Sequence, residues 1–202
     1  MDTWVWIVIA VVAVIVVLGL IWAATRTRRT RALRGQFGSE YDRTVDKEGG
    51  RRAGERELTE REKRHEELDL RPLSPEARRG YEQSWEETQG QFVDDPKGAV
   101  ARADELVQRV MRDRGYPVDD FEQRAADISV DHPDLVEKYR TANGIALASE
   151  RGEASTEDLR HSVRHFRALF VELLGSDGDG ASRDGDTAET RQRDTASANG
   201  GR

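Results

Sequence analysis

An uncharged, mostly apolar run near the start of this chain constrains its structure more than any other feature. It extends from Thr3 to Thr25 and consists mainly of Val, Ile, Leu and Ala. A helix of that length can cross the roughly 30 Å hydrocarbon core of a bilayer. Because a lone segment in hydrocarbon must satisfy its own backbone hydrogen bonds, the many β-branched residues do not redirect it to a strand. The sequence therefore predicts a transmembrane helix over residues 3–25.

The residues flanking this run predict its orientation. Tryptophans lie at both ends, where indole rings favour the headgroup regions, and arginines follow only on the carboxyl side, which marks the cytoplasmic side. A cleaved signal peptide would place its positive charge before a shorter apolar core, and only the pair Ala23-Ala24 favours cleavage. We predict an uncleaved single-pass anchor in the cell membrane, with the N-terminus outside and the rest of the chain cytoplasmic. The predicted membrane-interface residues are Trp4, Trp6, Trp22, Arg26, Arg28, Arg29 and Arg31.

Composition narrows the function classes for the rest of the chain. The chain has no cysteine, which excludes disulfides, thiolate metal ligands and a cysteine nucleophile. The net charge is −7, although residues 1–34 carry five arginines against one aspartate, so the acidic excess lies beyond them. A basic collar suits the anionic inner leaflet of the lipid bilayer. An acidic body argues against a nucleic-acid partner.

The residues directly after the anchor carry a four-residue apolar repeat. This repeat predicts either a short helix lying on the inner leaflet or a stripe that packs on the folded domain. Gly35 and Gly38 weaken any continuous helix through the segment. The repeat consists of Leu33, Phe37, Tyr41 and Val45.

A highly charged segment follows at residues 51–69. It contains acid-first i,i+4 pairs, which stabilise a helix, but Leu58 and Leu68 are its only sizeable apolar residues. A helix that is polar on all sides stands in solvent or bridges between folded parts. We therefore assign residues 26–74 to a basic juxtamembrane segment and a charged helical stalk.

Residues 75–174 predict a small all-α bundle of four sizeable helices and one short helix. Apolar residues recur three and four positions apart along them, and no useful strand-like alternation interrupts the pattern. Residues 176–202 lack large apolar side chains and are predicted to be disordered. Capping chemistry predicts helix starts at Ser74-Pro75, Asp95-Pro96, Asp131-His132-Pro133 and Ser155, and ends at Gly115, Gly152 and Gly175. The short helix is predicted from about Asp120 to Ile128.

Candidate catalytic and metal-binding residues have simpler interpretations. His161 and His165 lie one helical turn apart, which suits a metal ion, but a helical wheel places them opposite the apolar face. His132 beside Asp131 has the makings of a general base, yet the same residues serve to start a helix. The Asp/Gly-rich part of the tail misses the calcium-loop pattern. We predict no catalytic, cofactor-binding or metal-binding residue.

Two hypotheses of function remain open from the sequence. The first is a non-enzymatic, membrane-tethered helical module that binds another protein on the cytoplasmic side. The second is a small-molecule-binding or lipid-binding bundle, or an enzyme, with a pocket where the helices turn. The sequence leaves the oligomeric state undecided. The pocket residues of the second hypothesis are Tyr116, Asp120, Asp131 and His132.

Several short segments of the chain carry a resemblance. They are residues 71–78, 92–96, 114–117, 120–127 and 129–133. These segments resemble an uncharacterised family of bacterial single-pass membrane-anchored helical proteins, over most of residues 33–174. Because that family has no assigned activity, the resemblance implies architecture and location and transfers no catalytic residue.

Overall fold

The computed structural model describes residues 27–175 together with Trp4, Val12, Val17 and Leu18. All regular structure in this part of the chain is helical, which confirms the predicted all-α class. The helices are α1 (residues 27–37), α2 (Ser39–Lys47), α3 (Arg51–Glu66), α4 (Pro75–Gln91), α5 (Pro96–Asp113), α6 (Phe121–Asp131), α7 (Pro133–Glu150) and α8 (Thr156–Gly175).

Two of the predicted segments, the transmembrane run and the C-terminal tail, lie mostly outside the described residues. Apart from the four single positions named above, the predicted transmembrane run 3–25 lies outside the described residues, as does the predicted tail 176–202. None of the helices formed by the described residues is both long enough and apolar enough to cross a bilayer.

The chain divides into two compact units, each with its own hydrophobic core. The smaller unit comprises Met1–Glu66 and Ser129–Asp134. The larger unit comprises Glu67–Ile128 and Leu135–Arg202.

The core of the smaller unit is built from the four-residue apolar repeat. Leu33 and Phe37 of α1 and Tyr41 of α2 are buried with Leu58 of α3, and Val45 packs against them. The repeat therefore packs on the folded domain, which is the second of the two alternatives above.

The charged segment forms helix α3, but this helix does not stand alone in solvent as a stalk would. Leu58 is fully buried and Arg61 is only 4% exposed. At Gly54 the backbones of α2 and α3 approach so closely that an added Cβ would lie 2.7 Å from the Cα of Val45. The physical reason is that α3 buries charged side chains in partnership, which a count of apolar residues does not detect.

The larger unit is a helical bundle, as predicted, with α5 packed against both α4 and α8. The apolar residues of α5 that recur three and four positions apart are buried. They are Ala99, Val100, Ala103, Leu106, Val107, Val110 and Met111.

The predicted caps of the larger unit are present. The side chains of Ser74 and Asp95 accept hydrogen bonds from the backbone N–H groups of Ala77 (3.1 Å) and Gly98 (2.9 Å). Ser155 and Asp158 form a reciprocal capping box at the start of α8. These local hydrogen bonds explain why the helix starts could be placed from the sequence.

Candidate functional site

Helices α4 and α8 form the two walls of a groove in the larger unit. The ring of Trp85 stacks on that of Phe170, with centroids 4.6 Å apart and planes at 29°. The guanidinium of Arg160 lies 5.7 Å from the ring centroid of Phe92. Because Phe92 follows Trp85 whereas Arg160 precedes Phe170, the two helices run antiparallel.

We call this cavity of about 340 Å³ the α4–α8 groove. Its α4 wall comprises Arg78, Glu82, Trp85, Glu86 and Gln89. Its α8 wall comprises Arg167, Phe170, Val171, Leu174 and Gly175.

The floor of the groove is apolar and contains one unsatisfied donor. Trp85, Phe170 and Leu174 are buried, whereas Val171 on the rim is 55% exposed. The indole N–H of Trp85 is buried and has no hydrogen-bond partner among the described residues. An unpaired buried donor costs about 1–3 kcal/mol, so this floor carries a feature that stability alone disfavours.

The two rims of the groove carry opposite charges. Glu82 and Glu86 lie along the α4 rim, with Arg78 towards the start of that helix, and Arg167 lies on the α8 rim. Within the described part of the chain, none of these four side chains takes part in an ion pair. The groove therefore presents an α4 edge with two carboxylates and one guanidinium, and an α8 edge with one guanidinium, on either side of an apolar floor.

A second polar cluster lies inside the larger unit, where α5, α6 and α7 meet. The buried guanidinium of Arg124 donates to the hydroxyl of Tyr139 (2.9 Å) and to the carbonyl of Val118 (2.6 Å). Burial raises the pKa of Asp104 above its ordinary value, against the opposing effect of Arg124. Burial likewise raises the pKa of Tyr139 to about 12. We assign this cluster a packing role, because Arg124 donates its hydrogen bonds to groups within the protein.

The smaller unit contains a hydrogen-bond network centred on Glu55. One carboxylate oxygen accepts from the Thr30 hydroxyl (2.7 Å), the Tyr41 hydroxyl (2.9 Å) and the Arg51 Nε (2.8 Å). Burial acts to raise the pKa of Glu55, but the hydrogen bonds from Arg51, Thr30 and Tyr41 outweigh it and lower the pKa to about 2. The network joins α1, α2 and α3 through a single carboxylate.

Arg61 and His65 of α3 also contact carboxylates within the smaller unit. The Arg61 guanidinium contacts the buried Glu40 carboxylate at 3.0 Å and Glu57 at 2.9 Å. The His65 Nε2 lies 2.7 Å from a carboxylate oxygen of Asp131. These pairs show how a helix with almost no apolar residues is held in a folded unit.

The four predicted pocket residues are divided between the two units. In the larger unit, Tyr116 is buried in the core and Asp120 caps α6, accepting from the backbone N–H of Gln123 at 2.8 Å. Asp131 and His132 belong to the smaller unit, where Asp131 pairs with His65. The α4–α8 groove is lined by other residues, and the pocket proposed for these four stays a prediction.

The two histidines of α8 lie as the helical wheel predicts. Their ring centroids are 6.4 Å apart, and His161 is exposed beside Glu157. Partial burial, together with the neighbouring His161, lowers the pKa of His165. Among the described residues there is no group of three or more His, Asp or Glu side chains that could hold a metal ion.

The apolar periodicity of residues 75–174 predicts a core position for Trp85 and Phe170 and gives no indication of a groove beside them. Both residues do lie on apolar stripes, and both are buried. One feature of the sequence could have indicated the groove: Val171 is apolar but lies outside the apolar stripe of α8. In the structure its side chain is exposed.

The fold defines this chain as an all-α protein with a helical bundle as its larger unit. No family model, no curated protein and no solved structure matches it. The family resemblance noted in the sequence therefore stays a prediction, and function has to be argued from the groove.

Proposed function

We propose that this protein is a membrane-tethered helical module that binds another protein through the α4–α8 groove. The observation that carries the proposal is the floor of the groove, where buried Trp85 has no hydrogen-bond partner among the described residues for its N–H and Val171 is exposed beside it. Buried tryptophans and arginines are the residues that most often dominate binding energy at protein interfaces. Two arginines, Arg78 and Arg167, line the same groove as Trp85.

The membrane tether is the second part of the proposal and is supported by the sequence. The uncharged run 3–25 has the length of a single-pass helix, and the arginines that follow it favour the cytoplasmic side. Arg28 and Arg31 are exposed on α1, where anionic headgroups would be accessible to them. In this proposal both units lie on the cytoplasmic side, close to the inner leaflet.

A small-molecule-binding role is the second candidate. The groove volume of about 340 Å³ lies within the usual range for ligand sites, roughly 300–1,000 Å³. A protein partner is favoured because the groove is flanked by exposed side chains of both charges and by exposed Val171.

Site-specific photocrosslinking in the cells that make the protein tests the proposal. A photoreactive amino acid is placed at Val171 or Gln89 in the groove and, as a control, at Leu147, an exposed apolar residue on α7. We expect light-dependent protein adducts from the two groove positions and few or none from Leu147. An absence of adducts from the groove, or equal adducts from the control, would contradict protein binding. A small-molecule adduct of low mass would favour the second candidate.

A further inference from the structure

We propose, building on the protein-binding function of the α4–α8 groove, that the protein bound there is a second copy of this chain. The groove is complementary to itself, because Glu82 and Glu86 outnumber Arg78 on the α4 rim and Arg167 is the charged lining residue on the α8 rim. A symmetric dimer uses the same patch on both subunits, so such a patch must match its own rotated image.

The charge pattern selects the direction of the symmetry axis. A two-fold axis running along the groove places α4 of one copy opposite α8 of the other. Glu86 then faces Arg167 of the second copy on both sides of the groove. An axis across the groove would instead oppose the two α4 rims, where Glu82 and Glu86 outnumber Arg78, and like-charge repulsion disfavours that arrangement.

The positions of Glu86 and Arg167 along the groove agree with a two-fold axis in this direction. Because α4 and α8 run antiparallel, with Trp85 level with Phe170, Arg167 lies about one turn towards the carboxyl end of α4, close to Glu86. A rotation about the groove axis preserves these levels, so Glu86 of one copy faces Arg167 of the other. Arg78 comes to the carboxyl end of α8, where unpaired carbonyls favour a positive charge.

The apolar floor of the groove and the membrane tether both favour association of two copies. A second copy would cover the Trp85–Phe170 floor and remove exposed Val171 from water. Two chains anchored in one bilayer also meet at a higher effective concentration than free chains do. Neither effect requires a change in the fold of the larger unit.

Charge exchange on the full chain, reconstituted in lipid nanodiscs or detergent, tests the dimer. Glu86→Arg and Arg167→Glu, each alone, are expected to weaken association by about tenfold, since each change opposes like charges twice per dimer. The double variant restores both pairs and is expected to return close to the wild-type dissociation constant. The matched control is Glu60→Arg on α3, which is expected to leave association unchanged. The monomer–dimer equilibrium is measured by analytical ultracentrifugation.

A second readout does not depend on reversing charges. Because the natural chain lacks cysteine, Val171→Cys provides a single thiol, and a bismaleimide reagent is expected to yield covalent dimers. Leu147→Cys on α7 is the matched control and is expected to stay monomeric.

A chain that is monomeric at all concentrations and gives no covalent dimer from Val171→Cys would overturn the inference of a dimer. If the groove photocrosslinks capture a different protein, this inference fails while the proposed function stands; if they capture none, both fail.

Discussion

At the scale of single residues, Glu55 connects the three helices of the smaller unit. One oxygen of its carboxylate accepts three hydrogen bonds, from α1, α2 and α3. A hydrogen bond to a charged acceptor contributes about 1.5–3 kcal/mol to stability, compared with about 0.5–1.5 kcal/mol for a neutral one. Removing the charge while keeping the shape of the side chain is therefore a sensitive probe of this unit.

We predict that Glu55→Gln lowers the free energy of unfolding of the smaller unit by about 1–3 kcal/mol at neutral pH. The control Glu60→Gln removes an exposed pair with Arg56 and should cost less than about 0.5 kcal/mol. The measurement is urea unfolding of the full chain, followed by hydrogen exchange at the amides of α2 and α3. Equal effects of the two substitutions would contradict the network.

The same carboxylate gives this prediction a pH dependence. Because the pKa of Glu55 is lowered from 4.5 to about 2 in the folded chain, its stabilisation is fully present above pH 4.5. The stabilisation is lost as the pH falls from 4.5 through about 2, and below that pH the folded and unfolded forms are both protonated. The stability difference between Glu55→Gln and the natural protein should therefore shrink across that interval and stay constant above it.

At the scale of structural elements, the end of α5 shows a close match between sequence and structure. Gly115 adopts a positive φ of 97°, and the backbone N–H groups of Gly115 and Tyr116 donate to the carbonyls of Arg112 and Met111. This is the Schellman pattern, which favours glycine at that position. A Cβ at Gly115 would also lie 2.3 Å from the carbonyl oxygen of Asp69.

We predict that Gly115→Ala destabilises the larger unit by about 2 kcal/mol or more, since a left-handed conformation alone costs an L-residue about 1–2 kcal/mol. The matched control is Gly144→Ala in the middle of α7, where an added Cβ meets nothing within 4 Å. That change should stabilise the unit by up to about 1 kcal/mol through helix propensity. Thermal unfolding measured by circular dichroism compares the two, and a shared sign would refute the assignment.

Helix α3 shows the limit of element-scale prediction. Its pattern of charged residues correctly predicts a helix but gives no indication that Arg61 and Glu40 are buried together, with their side chains 5% and 1% exposed. These two residues lie on different helices, so no periodicity within either helix links them. A buried ion pair of this kind depends on tertiary geometry, because each charge is tolerated only with its partner in place.

At the scale of the whole molecule, the proposed orientation leads to a further prediction. If the run 3–25 anchors the chain with its N-terminus outside, protease added to spheroplasts should leave residues 27–175 intact. Permeabilised spheroplasts should lose these residues, because their exposed loops then become accessible. Immunoblotting with an antibody against the larger unit provides the measurement. Digestion in intact spheroplasts would place both units outside and refute the cytoplasmic assignment.

The sequence alone determined the all-α class, the helical bundle and most helix ends of this protein. These properties depend on residues three or four positions apart and on caps such as Ser74 and Asp95, which act within one turn. The tertiary structure alone decided that α3 is packed in a folded unit and that α4 and α8 enclose a groove. Those outcomes depend on contacts such as that of Trp85 with Phe170. Because the two residues are far apart in the sequence, no local pattern predicts that they meet.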